Sequence, residues 1–343
     1  MSSFLAFIKL IRLPNLLIIV LTQYTIRYGL IYAIITNMTD TGAVNFLLSE
    51  LNFFLLSLST VLIAAAGYII NDYFDVKIDR VNNPKEVLIG KHIKRRVAMG
   101  AHIVINFLAI FIAIYVAYTM GMIKLAAIQV LAVGALWYYS VSFKKQLLTG
   151  NIVVACLAAL VPFVAGLYEM LLQYQNIDIT IAKLLPFYEN MLDVNDIRIL
   201  IHQNFSIIMK WVLGFTLFAF LSTMIREIIK DIEDYEGDRK FYSRTLPIIY
   251  GINTAKKVCQ FIIVIMMVFL AYLQYRQILI GDTFSLLYFL VLVQFPLGYL
   301  FIKIKKANQK TDYTFISKMM KLIMLFGIVY LAIFNYIISS GGF

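Results

Sequence analysis

LNFFLLSLSTVLIAAAGYIINDYFDVKIDR, residues 51–80, joins twenty-one uncharged, mostly apolar residues to a short segment carrying three aspartates. About 20 helical residues cross the hydrocarbon core of a bilayer, so 51–71 predicts a membrane span. Asp72, Asp75 and Asp79 follow at once, at i, i+3 and i+7. On an α-helix those offsets put all three carboxylates on one face. Like charges so placed repel, more strongly near a low-dielectric boundary than in water, and something positive is expected beside them.

Eight further apolar runs of spanning length lie near 14–36, 98–119, 121–143, 150–173, 206–226, 257–275, 283–302 and 319–338. The chain as a whole is 62% hydrophobic and 14% charged, against roughly half and a quarter for soluble domains, which excludes a water-soluble globular enzyme. Pro14 suits a helix first turn, while Pro162 and Pro296 fall inside spans where neighbouring helices tolerate them. Cys156 and Cys259 sit in apolar runs without metal-ligand spacing and read as small core residues. His102 and His202 likewise lack a ligand partner at metal spacing. The first apolar run continues past signal length without a small-residue cleavage site, so no cleavable signal peptide is expected.

The formal charge of +11 raises nucleic-acid binding, but the placement of the basic residues points to topology instead. Segments 1–13, 72–97, 144–149, 226–257 and 303–321 hold 24 of the 30 Lys and Arg. The other six are Arg27, Lys124, Lys183, Arg198, Lys210 and Arg276. By the positive-inside rule the N-terminus is cytoplasmic and, after nine spans, the C-terminus is outside. The expected architecture is all-α: a single polytopic membrane domain over 1–343, nine helices with two pseudo-repeated four-helix halves, in the cytoplasmic membrane. Residues 174–205 are its one long outer loop, in which LLPFYENML is read as a short interfacial helix.

The acid pattern occurs twice. Asp231, Asp234 and Asp238 repeat the i, i+3, i+7 spacing four spans later, again directly after a span and on the same side. Ten of the 19 acidic residues fall within 72–86 and 227–238. One triplet alone would pass for a solvated helix end; two with the same spacing and side predict opposed acidic faces. Hard divalent cations with oxygen ligands offset such faces, and Mg²⁺ bridges a few carboxylates to a substrate phosphate. Glu233 and Glu236 are expected off the acidic face.

With these strings, NDYFDVKIDR at 71–80 and DIEDYEGDRK at 231–240, the chain resembles the UbiA-type intramembrane prenyltransferases. RLPN at 12–15 and YSVSFK at 139–144 extend the resemblance over most of its length. The resemblance implies a nine-helix bundle around a lipid-accessible cavity, where an isoprenyl diphosphate is held through Mg²⁺. It makes Asn71, Asp75, Asp234 and Asp238 the strongest metal and diphosphate ligands, with Asp72, Asp79 and Asp231 in support. Tyr139 and Lys144 match a phosphate-side motif, Asn15 an N-terminal polar position, and Arg80 and Arg226 are candidate phosphate contacts. Neutralising the diphosphate would let it leave, and aromatic faces such as Trp137, Tyr138 and Tyr139 would stabilise an allylic cation.

REIIKDIEDYEGD at 226–238 and RTLPIIYG at 244–251 look most like the branch that transfers geranylgeranyl to geranylgeranylglyceryl phosphate in ether-lipid synthesis. After the first motif the chain reads NNPKEVLIGKHIKRR, where an Arg-Pro pair and a Ser-Gly step are common in the family. Prenylation of an aromatic quinone precursor is the alternative within the family. A divalent-cation or small-solute transporter is the alternative of another class, disfavoured because the span interiors are nearly free of acids. The expected partners are the isoprenyl diphosphate, a lipid or aromatic acceptor and membrane lipids, with no nucleic acid and no obligate protein partner.

Overall fold

The computed structural model describes residues 2–36, 44–84, 86–188 and 191–339. Lys85, in the first basic loop, and Glu189 and Asn190, in LLPFYENML, lie outside the described residues. Among the described residues, nine helices are long and apolar enough to cross a membrane. They are span 1 (Leu13–Thr36), span 2 (Glu50–Asn82), span 3 (Arg95–Thr119), span 4 (Ile123–Val141), span 5 (Thr149–Gln175), span 6 (Val194–Glu233), span 7 (Ile252–Leu279), span 8 (Thr283–Lys306) and span 9 (Lys310–Ile337). Each coincides with one predicted run. Pro14 stands in the first turn of span 1, and Pro162 is buried within span 5. Pro296 follows a π-helical turn, Leu290–Gln294, where its missing N–H costs the helix least.

The outward faces carry the large apolar side chains, among them Phe107, Phe111, Leu131, Phe261 and Phe295, all exposed. In lipid such residues need no cover, and contact between helices relies on close packing. Gly29 shows how close: a Cβ there would stand 2.4 Å from the Leu331 carbonyl oxygen of span 9. Cys259 is buried as expected, but Cys156 is exposed on the outward side of span 5 rather than in the core.

One expectation about the opposite end from the acid motifs is corrected. Residues 174–205 are not a loop: Ile177–Tyr188 is helical and span 6 begins at Val194. That span has 40 residues, so at ~1.5 Å per residue it is about 60 Å long, roughly twice the hydrocarbon thickness. A reciprocal cap between Asp193 and Asp196 starts it, and Arg198 bonds Asp178 at 3.1 Å. The predicted apolar runs are nearly free of acids, as expected, with Glu169 toward the end of span 5 as the exception. Glu169 of span 5 is fully buried, accepts from Leu47 N at 2.9 Å and faces the buried Arg27 at 3.6 Å. Arg27 also donates to Leu48 O at 2.7 Å and to Glu50 at 2.9 Å. These bonds tie residues 47–50 to spans 1 and 5, a structural use of buried charge.

Candidate active site

Spans 2 and 6 end at the same place. Asn82, the last residue of span 2, donates its Nδ2 to Asp234 O at 3.4 Å and accepts from Gly237 N at 2.9 Å. The short helix Ser3–Leu10 packs under this end, with Ala6 and Leu10 against Ile69, Val76, Ile89 and Ala98. Above the junction opens a cavity of about 1030 Å³. Its deep walls are apolar, with Ile128, Leu160, Val164, Phe215, Phe218 and Ile328 among them. Its mouth is charged.

Asn71, Asp72, Asp75 and Asp79 of span 2 line the mouth, with Asp231 and Asp234 from the end of span 6. The first triplet lies on one unbroken helix, as its spacing predicts. The second does not: span 6 stops at Glu233, Asp234 is its C-cap at φ −96° and ψ 11°, and a new short helix runs Tyr235–Lys240. Asp238 falls in that short helix, buried just behind the cavity lining with Thr245 Oγ1 at 3.5 Å, and still in the fields of Lys144, Asp234 and Asp75. Glu233, expected off this face, lines the cavity and accepts from Thr314 Oγ1 at 2.6 Å. Arg80 is exposed and is not among the residues that line the cavity.

Positive partners stand beside the acids, as repulsion demands. Lys144, in the turn between spans 4 and 5, bonds the buried Asp75 carboxylate. Burial alone would lower the Lys144 pKa, but Asp75 outweighs it and the ammonium is held well above its ordinary range. Arg12 reaches Asp72 at 2.9 Å, and Asn151 Nδ2 donates to Asp231 at 2.8 Å. Burial raises the Asp234 carboxyl, against the opposing charge of Lys144, and pushes Asp238 up to about 6. Tyr139, Asn15 and Arg226 all line the cavity. Trp137 instead packs against Phe74 and His102, and His102 bonds Ala66 O at 2.9 Å.

The donor set suits a hard cation. Every candidate ligand offers oxygen, and the Asn71 Oδ1 is buried at the cavity without a hydrogen-bond partner. Among the described residues no three acidic, His or Cys side chains converge on one point. That spread fits Mg²⁺, which takes one or two carboxylates and completes its shell with water and phosphate oxygens.

Sequence reasoning missed Arg12, Lys230, Lys321 and Glu227, all on the cavity wall. The available signal was position: Lys230 follows Arg226 by four residues, one turn along a helix whose next residue is Asp231.

A model of the UbiA prenyltransferase family matches residues 30–326. The digeranylgeranylglyceryl phosphate synthase of Methanosphaera stadtmanae is 28% identical over 276 residues, covering 80% of this chain and 84% of that protein. The synthase of the same name from Saccharolobus solfataricus is 31% identical over 273 residues, covering 78% of this chain and 82% of its own. The solved structure of a UbiA homolog from Archaeoglobus fulgidus bound to DMAPP and Mg²⁺ has a TM-score of 0.56 at 17% identity, over 97% of this chain and 99% of that one. At that identity the likeness speaks to the fold alone. With the family model spanning most of the chain, and the fold shared with the solved homolog, this protein belongs to the UbiA prenyltransferase family.

Proposed function

We propose that the protein transfers a prenyl group from an isoprenyl diphosphate to the hydroxyl of a glyceryl phosphate ether lipid, most specifically geranylgeranyl to geranylgeranylglyceryl phosphate, on the cytoplasmic side of the cytoplasmic membrane. One observation carries the reading: two aspartate segments and Lys144 meet at the charged mouth of a cavity whose depth is apolar. A ligand with a highly anionic head and a long hydrocarbon tail matches both halves. The named activity of the M. stadtmanae and S. solfataricus relatives supports the acceptor.

In this reading Asn71, Asp72, Asp75, Asp79, Asp231, Asp234 and, from behind the wall, Asp238 make up the set that holds Mg²⁺. The bound metal would neutralise the charge of the departing diphosphate. Asn71 supplies a free carbonyl oxygen, and Asp75 holds Lys144 where its ammonium can meet a phosphate oxygen. Tyr139 stands on the same wall, and Asn15 and Arg226 contact substrate phosphate. The apolar depth holds the prenyl tail and excludes water, so that the allylic carbon meets the alcohol rather than solvent. A C–O ether bond forms as the C–O bond to diphosphate breaks, and diphosphate and the alcohol's proton are the other products.

Purified protein incubated with labelled geranylgeranyl diphosphate and a panel of acceptors tests this. The expected result is Mg²⁺-dependent product with geranylgeranylglyceryl phosphate. Turnover of a hydroxybenzoate or dihydroxynaphthoate, with none of the glyceryl phosphate, would move the protein to the quinone branch. Normal turnover in EDTA would remove the metal.

A further inference from the structure

The cavity has a second charged wall beside the acidic one. Arg12 and Asn15 at the start of span 1, Arg226 and Lys230 of span 6, and Lys321 of span 9 all line it. On span 6, Arg226 and Lys230 are one turn apart and share a stripe about 100° round from that of Glu227 and Asp231. One helix thus carries acids on one stripe, where Asp231 meets Asn151 of span 5, and bases on the next, in the field of Arg12 at the start of span 1.

The bonds among these groups leave positive charge over. Arg12 bonds Asp72 at 2.9 Å, while Arg226 and Lys230 share one Glu227 oxygen at 3.2 and 2.8 Å. Among the described residues, Lys321 meets no carboxylate: its Nζ donates to Asn15 Oδ1 at 3.1 Å. Lys230 and Lys321 both lie in the fields of Arg12 and Arg226. Arg226 Nε is buried with no partner. Four cations therefore face two carboxylates, three of them bonded and Lys321 not, in a half-buried wall where their repulsion is poorly screened. The surplus of two positive charges matches a phosphate monoester, which carries about −1.5 to −2 near neutral pH.

We propose that Arg226, Lys230 and Lys321, with Arg12 and Asn15 at its edge, form a separate site for a phosphate monoester, the headgroup of the acceptor lipid. This rests on the reaction proposed above and assigns its second substrate to its own wall. The two anions then enter one cavity without competing: the diphosphate needs the metal and the acidic wall, the monoester needs neither.

Binding tests this apart from turnover. Full-length protein in detergent or nanodiscs is titrated with geranylgeranylglyceryl phosphate in EDTA, and separately with geranylgeranyl diphosphate in Mg²⁺. The expected result is that the phosphate lipid binds in EDTA, at least tenfold more tightly than its dephosphorylated alcohol. Inorganic phosphate at equal concentration should not displace it. Lys321→Gln and Lys230→Gln should each weaken that binding roughly tenfold or more, the scale of one charge-assisted hydrogen bond, and leave diphosphate binding within about twofold. Lys321→Arg should recover most of the loss, which a merely misfolded variant would not. Equal binding of the alcohol and the phosphate lipid would overturn the proposal. So would variants that weaken diphosphate binding and spare the lipid, because the wall would then serve the leaving group. If the phosphate lipid binds as described but only an aromatic acceptor reacts, the site stands and the proposed reaction fails.

Discussion

At the scale of single residues, the two acid segments act as one assembly. Asp75 of span 2 and Asp234 at the end of span 6 both line the mouth and share Lys144 as a charged neighbour. Losing an electrostatic contact made chiefly in the transition state costs about 3–4 kcal/mol, or 10²–10³ in rate. Asp75→Asn and Asp234→Asn should each lower initial rates by that amount at saturating Mg²⁺, and the double variant should be scarcely worse than either. Exposed Glu236, outside the cavity, is the control, and its Gln variant should stay within about twofold. A multiplicative double variant would show two independent sites. Asp238 gives a pH prediction. Burial raises it to about 6, so it is anionic only above that and gives up any cation as pH falls through it. The Mg²⁺ concentration for half-maximal rate should therefore climb between pH 7 and pH 5, and Asp238→Asn should flatten that climb. Metal-free protein should behave oppositely. A folded-state pKa above the unfolded value means that its stability falls as pH rises toward 6, so chelation should lower the melting temperature more at pH 7.5 than at pH 5.

At the scale of elements, the sequence was most legible where one physical rule governs a whole segment. Nine runs of the length a bilayer demands became nine helices, and three aspartates at helical spacing on span 2 came out on one face. Legibility failed where two elements decide together. The second triplet has the same spacing, yet the helix breaks at Asp234, and the spacing carries no sign of it. Arg27 looked like a stray outer cation and proved to be a buried anchor, because its partners Leu48, Glu50 and Glu169 come from two other segments. Lys321 counted toward topology and turned out to face the cavity, since only tertiary packing rotates span 9 that way. The break at Asp234 has a visible cause in Asn82, which bonds both Asp234 O and Gly237 N. A Cβ on Gly237 would fall 2.3 Å from Asn82 Oδ1. Gly237→Ala should therefore push the second acid segment off the first, with a clear loss of both melting temperature and rate. Asn82→Ala loses the two bonds, about 1–3 kcal/mol, but makes room. The combination should then be better than the sum of the two single effects, and strict additivity would show that the clamp is not what sets the break.

At the scale of the whole molecule, the same end of the bundle gathers everything with chemistry. Lys310 Nζ reaches Asn82 O at 2.9 Å, Arg244 N reaches Lys145 O at 2.8 Å, and Asn82 joins span 2 to Asp234. Four basic connections thus meet around the cavity mouth, while Arg198–Asp178 and the Arg27 network lie at the opposite end. The cytoplasmic orientation proposed for this mouth rests on 24 basic residues in five segments against six elsewhere. In that orientation a charged, isoprenoid-bearing ligand in the cytosol would reach the mouth without crossing the bilayer. Topology is therefore a test of mechanism. In a Cys156→Ala background the remaining Cys259 is buried and should not react. With a membrane-impermeant maleimide and intact vesicles, a cysteine at exposed Lys94 should react in inverted but not right-side-out ones, and one at Asp178, whose side chain is 84% exposed, in right-side-out but not inverted ones. The reverse labelling would put Asp75, Lys144 and Asp234 outside the cell, away from the Mg²⁺ and prenyl diphosphate pools the reaction draws on, and would end both the orientation and the cytoplasmic mechanism together.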